Sequence, residues 1–148
     1  MNYKKISSMI LNKFFKNEKI LYQHIDGGSL ICIDNMLIVN IPDVYNIFNV
    51  GMFEPADLSK IIDRIKDHSE LAYFTGKICC ISRRQNVYEI RSDKGRFFYI
   101  DTKTFNQLGI DNPAFEVSYK TDCGPLLVYD ERGNIPDVKA VICPVKIS

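Results

Sequence analysis

Short runs of β-branched and aromatic residues recur along the chain, and few of the segments between them have helical spacing. Such runs are typical of β-strands, which bury their apolar side chains by pairing into a sheet. A few helices packed on that sheet would complete one hydrophobic core. The pattern therefore predicts an α+β domain. Its expected strands are Ile20–Tyr22, Leu30–Ile33, Met36–Val39, Ile47–Val50, Leu71–Thr75, Ile78–Ile81, Val87–Ile90, Phe97–Ile100, Phe115–Tyr119, Leu126–Tyr129 and Ala140–Ile147.

The N-terminal segment, residues 4–16, has apolar residues three and four positions apart and is rich in lysine. Ile6, Ile10 and Phe14 fall on one face, which predicts a helix. One interpretation is a surface helix that binds an acidic partner or a membrane. The other, which we favour, is a helix docked on the core with its lysines in solvent. With the hairpin that follows, it forms an N-terminal extension, residues 1–45, ahead of the main domain at 46–148.

The order of elements in the main domain is repeated. The first unit has a strand at 47–50, a helix that begins near Pro55, and three strands at 71–75, 78–81 and 87–90. Leu58, Ile61 and Ile65 form an apolar stripe on that helix. The second unit has a strand at 97–100, a short helix from Asp101 through Leu108, and three strands at 115–119, 126–129 and 140–147. We therefore predict two strand-helix-three-strand units.

The composition narrows the class of protein. The chain has 148 residues, enough to bury a core without a metal or disulfide. Its net charge of +1 does not mark a strongly basic nucleic-acid-binding domain. Five cysteines without a Cys-x-x-Cys pair indicate reduced thiols and a cytoplasmic location. No apolar run approaches the roughly 20 residues that a membrane helix needs, so we expect no membrane partner. We expect no metal and no cofactor.

The C-terminal third carries a set of short apolar motifs. The chain reads Gly124-Pro125-Leu126-Leu127-Val128, then a polar turn from Tyr129 through Glu131 to Gly133, and ends Ala140-Val141-Ile142-Cys143-Pro144-Val145-Lys146-Ile147-Ser148. This ending resembles that of the bacterial DNA sliding clamp, the beta subunit of DNA polymerase III. The resemblance covers about residues 96–148 in sequence and residues 47–148 in element order. It implies a clamp-like domain that is not an enzyme and that serves replication or a mobile element.

The resemblance also implies partners and positions. In the clamp family, the terminal residues line a groove that captures linear motifs of other proteins. Carried over by position, that groove comprises Leu126, Pro144, Val145 and Ile147. The family's helices face DNA, which implicates Lys60, Arg64 and Lys103 here. A clamp ring needs six such domains, so this chain would form a hexamer, join other chains or act outside a ring.

No catalytic motif is recognisable, and we assign no catalytic residue. His24 and His68 are the only histidines, and an acid-base role would need partners that converge in space. Two basic turns, 83–86 and 91–96, lie near aromatic residues and offer a nucleic-acid surface or ordinary solvated turns. The alternatives to a clamp-like module are a small cytoplasmic enzyme, for example a hydrolase with residues from distant loops, and a regulatory protein that acts through the N-terminal helix.

Overall fold

The computed structural model describes residues 1–34, 37–130 and 137–147, and it has an α+β fold. Asn35, Met36 of the predicted strand 36–39, residues 131–133 of the predicted polar turn and Ser148 lie outside the described residues. The helices are α1 (Tyr3–Phe15), α2 (Ser59–Lys66) and α3 (Thr102–Asn106). The strands are β1 (Leu21–Ile25), β2 (Gly28–Asp34), β3 (Leu37–Pro42), β4 (Glu54–Pro55), β5 (Ser69–Ser82), β6 (Gln85–Ser92), β7 (Phe97–Asp101), β8 (Pro113–Ser118), β9 (Leu126–Asp130) and β10 (Val138–Ile142).

All of these strands belong to one sheet, in the order β4-β1-β2-β3-β10-β9-β8-β5-β6-β7. Neighbouring strands are antiparallel, except that β4 runs parallel to β1. The central pairing of β3 with β10 joins strands from the two ends of the chain. Residues 1–45 and 46–148 therefore share one sheet and one core, an arrangement that the local sequence pattern does not reveal.

The helices pack on opposite faces of this sheet. Ile6 and Ile10 of α1 and Phe105 of α3 are buried in one large cluster with the inward-facing residues of the sheet. Leu58 directly precedes α2, and Ile65 belongs to it. Both pack with Leu127 and other residues on the reverse face of the sheet. Leu126 and Val128 lie in the first cluster and Leu127 in the second, as the alternation of side chains along a strand requires.

The second predicted unit is present as β7, α3, β8, β9 and β10, whereas the first unit differs from the prediction. The predicted strand at 47–50 is wrong, because the side chains of two asparagines bend the chain there. Asn46 Oδ1 accepts a hydrogen bond from the backbone of Phe48 (2.9 Å), and Asn49 Oδ1 accepts one from Gly51 (3.3 Å). Val50–Met52 consequently form a short 3-10 turn instead of a strand.

The first unit also has two strands after its helix instead of three. The predicted strands at 71–75 and 78–81 are parts of β5, because Gly76, with φ of +85°, makes an irregularity within the strand and no chain reversal. The helix begins at Ser59 and not near Pro55, which belongs to β4. Ser59 is fixed there because the Gln23 side chain accepts a hydrogen bond from its backbone N–H (2.6 Å).

The last predicted strand, 140–147, ends at Ile142. Proline at 144 has no N–H to donate to a neighbouring strand, so regular pairing stops before it. The chain then crosses to β7, at the far end of the strand order, where the Val145 N–H donates a hydrogen bond to the Tyr99 carbonyl (2.7 Å). The sheet is therefore curved enough to bring the C-terminal tail against its last strand.

Candidate functional site

Three of the four predicted groove residues lie together at one surface hollow. Pro144, Val145 and Ile147 line a space of about 290 Å³ beside β7, where they meet Phe97 and Tyr99. Phe97 and Ile147 are 48% and 43% exposed, so part of this lining is apolar surface open to solvent. Leu126 is fully buried in the core and does not contribute to the hollow. We name this space the tail hollow.

A larger cleft of about 590 Å³ lies between α2 and the segment that follows β8. We name it the α2 cleft, and its lining residues are Ile61, Arg64, Ile65, Asp67, His68, Ser118, Lys120, Thr121 and Pro125. Its size falls within the range of roughly 300–1,000 Å³ that is usual for ligand sites. The lining combines an apolar floor with a few polar groups at the rim, which suits capture of an apolar side chain held in place by polar contacts.

The floor of the α2 cleft follows from the helical stripe recognised in the sequence. Ile65 is buried in the second core cluster, while Ile61, one turn earlier, is only half-buried and packs against the edge of that cluster. Two side chains four residues apart lie on one face of a helix, so both contribute to the cleft. The same stripe thus anchors α2 to the sheet and lines the floor of the cleft.

The opposite wall is the segment 119–125 between β8 and β9, and its conformation is held by Arg96. The guanidinium donates hydrogen bonds to the carbonyls of Ser118 and Thr121, both at 2.9 Å. It also donates through Nε to the carboxylate of Glu70 at 2.8 Å, and a second nitrogen contacts the same oxygen. Glu70 lies on β5 with only 8% of its surface exposed. A buried ion pair therefore fixes the wall that separates the two spaces.

The protonation of Glu70 depends on this pair. Burial alone would raise the pKa of the carboxyl, but hydrogen bonds from Arg96, Ser92 and the Lys94 backbone, together with the Arg96 charge, outweigh it. The pKa of Glu70 consequently lies below its ordinary value, and the carboxylate is ionised at neutral pH.

Segment 119–125 lines both spaces. Lys120, Thr121 and Pro125 face the α2 cleft, while Asp122 and Cys123 face the tail hollow. The two spaces are thus neighbours on either side of one short loop, and an extended ligand that crosses the loop could contact both.

His68 lies in the α2 cleft and is held by Tyr119. The Tyr119 backbone N–H donates to the His68 carbonyl (2.8 Å), and Tyr119 Oη lies 3.2 Å from His68 Nδ1. Lys94 Nζ lies 4.1 Å from the centre of the Tyr119 ring on the same wall. Within residues 1–34, 37–130 and 137–147, neither His68 nor the exposed His24 forms an ion pair with a carboxylate. This geometry does not assemble an acid-base pair around either ring.

The predicted DNA-facing cations are not brought onto one surface. Lys60 and Arg64 lie on α2, which packs on one face of the sheet, whereas Lys103 lies on α3, which packs on the other. Lys60 is also paired with Asp57 at 2.9 Å, and that interaction lowers the pKa of the Asp57 carboxyl. Only Arg64 of the three contributes to the α2 cleft.

None of the five cysteines, all of which belong to the described part of the chain, forms a disulfide bond. Cys32 and Cys143 are half-buried at a third hollow on the other side of α2, and burial raises the pKa of both thiols. Of the adjacent pair on β5, Cys79 is half-buried and Cys80 is exposed, as expected for neighbours on opposite sides of a strand. The described residues contain no group of three His, Cys, Asp or Glu side chains placed to hold a metal ion.

Two parts of the site were missed by sequence reasoning. Phe97 was expected in a strand and among the aromatic residues near the basic turns, but not in the groove, although its alternation with the buried Phe98 marks it as outward-facing. Glu70 and Arg96 are far apart in sequence and carry no local signal of their pairing. In the described part of the chain, no helix is long and apolar enough to cross a membrane. No protein-family model matches the chain, and no curated protein or solved structure matches it significantly.

Proposed function

We propose that the chain is a non-enzymatic, clamp-like binding module that captures a short linear segment of a partner protein. The α2 cleft takes one apolar side chain of that segment, and the tail hollow takes a second contact across segment 119–125. The observation that carries the proposal is the apolar-floored α2 cleft and the partly apolar tail hollow on either side of one fixed loop. The resemblance of the C-terminal residues to those of the sliding clamp supports the same class of partner.

Charge at the α2 cleft favours a segment with an acidic flank. Arg64 and Lys120 are exposed at the rim, and Asp67 is the one carboxylate among the lining residues. A partner residue that buries an aliphatic side chain against Ile61 gains about 1.5–3 kcal/mol from the hydrophobic effect. Rim charges of this kind add orientation and association rate more than affinity.

The proposal is tested by fluorescence anisotropy with a short fluorescein-labelled peptide that carries a leucine-rich clamp-binding motif and flanking acidic residues. The control peptide has its apolar residues replaced by serine. We expect saturable binding of the first peptide only. Ile61→Asp is expected to weaken binding about tenfold or more, which corresponds to about 1.4 kcal/mol. Lys120→Glu, a change at an exposed position, should weaken it less.

Ile78→Asp is the matched control, because Ile78 is 61% exposed on β5 and contributes to neither space. Circular dichroism of each variant checks that the fold is intact. No saturable binding at high micromolar peptide would contradict the proposal. Equal losses in the Ile61 and Ile78 variants would contradict it as well.

A further inference from the structure

The hairpin formed by β5 and β6 extends beyond the body of the sheet. Strand β8 pairs only with residues 69–72 of β5, and β7 pairs only with residues 87–91 of β6. Closer to the tip of the hairpin, the pairs Cys80 with Asn86 and Ser82 with Gln85 have no third strand beside them in the described structure. The end of the hairpin is therefore two-stranded only over residues 80–86, which we name the β5–β6 ribbon.

Most of the exposed charges on and around this ribbon are positive. Residues 75–93 and 101–107 contain five cations and three carboxylates. Glu89 is 7% exposed and lies 3.8 Å from Lys77. Asp101 is half-buried and accepts hydrogen bonds from Thr104. The exposed Asp93 follows β6 at the end away from the ribbon tip. The cations, all exposed, are Lys77, Arg83, Arg84, Arg91 and Lys103.

Helix α3 adds Lys103 to the same end of the molecule. Tyr88, at the base of the ribbon, donates a hydrogen bond from its hydroxyl to Asn106 Oδ1 of α3 (3.0 Å). The pairing of Val87 with Asp101 places the start of α3 beside the ribbon. In the described residues, Arg83, Arg84 and Lys103 form no ion pair that would neutralise them.

From this placement we propose that the β5–β6 ribbon binds double-stranded DNA, with Arg83 and Arg84 at its tip contacting phosphates and the ribbon entering the major groove. The major groove of B-form DNA is about 12 Å wide and admits a two-stranded ribbon. The major groove of A-form RNA is too narrow for one. The site is separate from the α2 cleft, so this inference does not depend on the proposed peptide binding.

The test is fluorescence anisotropy of the full chain with a labelled DNA duplex and with an RNA duplex of the same sequence, at several salt concentrations. Each phosphate contact contributes about −0.9 to the slope of log K against log salt. Lys77 is paired with Glu89 (3.8 Å), so one phosphate contact from each of the other four cations gives an expected slope of about −3.6. Arg83→Ala/Arg84→Ala should make the slope less steep by about 2 and weaken binding at low salt about tenfold or more.

Arg83→Lys/Arg84→Lys should restore most of the binding because it keeps both charges. Lys4→Ala/Lys5→Ala removes the same charge from exposed positions on α1 and should leave the affinity within about twofold. The hairpin variants should bind the acidic peptide normally, which separates this test from that of the proposed function. The inference is overturned by absence of DNA binding at low salt, by equal losses in the α1 and hairpin variants, or by equally tight binding of RNA. Binding of polyglutamate in place of DNA would also overturn it and indicate an acidic protein partner.

Discussion

The ion pair between Glu70 and Arg96 gives the sharpest test of how this fold is held together. We expect Arg96→Met to lower the free energy of unfolding by about 3 kcal/mol at neutral pH. The Glu70 side chain is only 5% exposed, so the substitution leaves a carboxylate that has lost most of its solvation and its charged partner. Removing one member of a buried pair typically costs 3–5 kcal/mol. We expect the lower end of this range because the Arg96 side chain is 23% exposed, so water partly screens the pair.

For a chain of this size, such a loss lowers the melting temperature by about 6–12 °C. Urea unfolding followed by circular dichroism measures the free energy directly. The matched control is Arg91→Met on the neighbouring strand. Arg91 is exposed and lies 5.8 Å from the Phe97 ring, so its removal should cost less than about 1 kcal/mol.

A double variant, Glu70→Leu/Arg96→Met, distinguishes an unpaired charge from lost packing. Because the buried carboxylate is then absent, the double variant should be more stable than Arg96→Met alone. A cost below about 1 kcal/mol for Arg96→Met, or a double variant no more stable than the single one, would refute the reasoning.

The pH dependence carries the same information. Since the pKa of Glu70 is lower in the folded state, its contribution is fully present above its ordinary value of 4.5 and is lost as pH falls through the folded value. In Arg96→Met the burial remains without the charged partner and raises the pKa of Glu70. The stability difference between the natural chain and Arg96→Met should therefore be largest near pH 8 and shrink as pH falls, with the shrinkage starting above pH 4.5. A difference that grows on acidification would contradict the assignment.

Two further predictions concern the N-terminal segment. Ile10→Ala should lower the free energy of unfolding by about 2–5 kcal/mol, because Ile10 is fully buried. The control Ile47→Ala, at a 68% exposed position, should lower it by less than about 0.5 kcal/mol. Equal losses in urea unfolding would place α1 outside the core. Gly109→Ala should be more destabilising than Gly27→Ala in the same assay. Both glycines have positive φ, but a Cβ at position 109 would lie 2.8 Å from Asn2 Cβ, whereas no described atom outside the neighbouring residues lies within 4 Å of a Cβ at position 27. Similar losses of unfolding free energy in the two variants would mean that the close approach to Asn2 is unimportant.

The proposed interpretation of α1 as a docked helix agrees with its burial. Ile6 and Ile10 are fully buried, and the Asn2 N–H donates to the Leu108 carbonyl (2.8 Å). Its lysines at 4, 5 and 16 are exposed. Deleting residues 1–18 would therefore remove part of the core, and loss of partner binding in such a deletion could not be assigned to the helix surface alone.

The local elements were within reach of the sequence because their causes are local. The stripes of α1 and α2 follow from apolar residues at helical spacing, and the strands of the second unit follow from short apolar runs between turns. Where the prediction was wrong, side chains acted on the backbone nearby. Asn46 and Asn49 turned an apolar run into a bend, and Gly76 was absorbed within a strand.

The candidate site could be predicted only in part from the local sequence. Pro144, Val145 and Ile147 were expected at a common groove, and they do line one hollow, although Leu126 is in the core. The larger α2 cleft was not expected as a site, because its second wall comes from residues 118–125 and depends on Arg96, which lies between β6 and β7.

The sequence by itself determined the α+β class, the apolar faces of α1 and α2, and the strands of the second unit. Those properties depend on residues within a few positions of one another. Tertiary structure alone decided that β3 pairs with β10, that α2 and α3 pack on opposite faces, and that Glu70 meets Arg96. These arrangements depend on the curvature and strand order of the whole sheet, since many pairings of similar apolar strands satisfy the same local pattern.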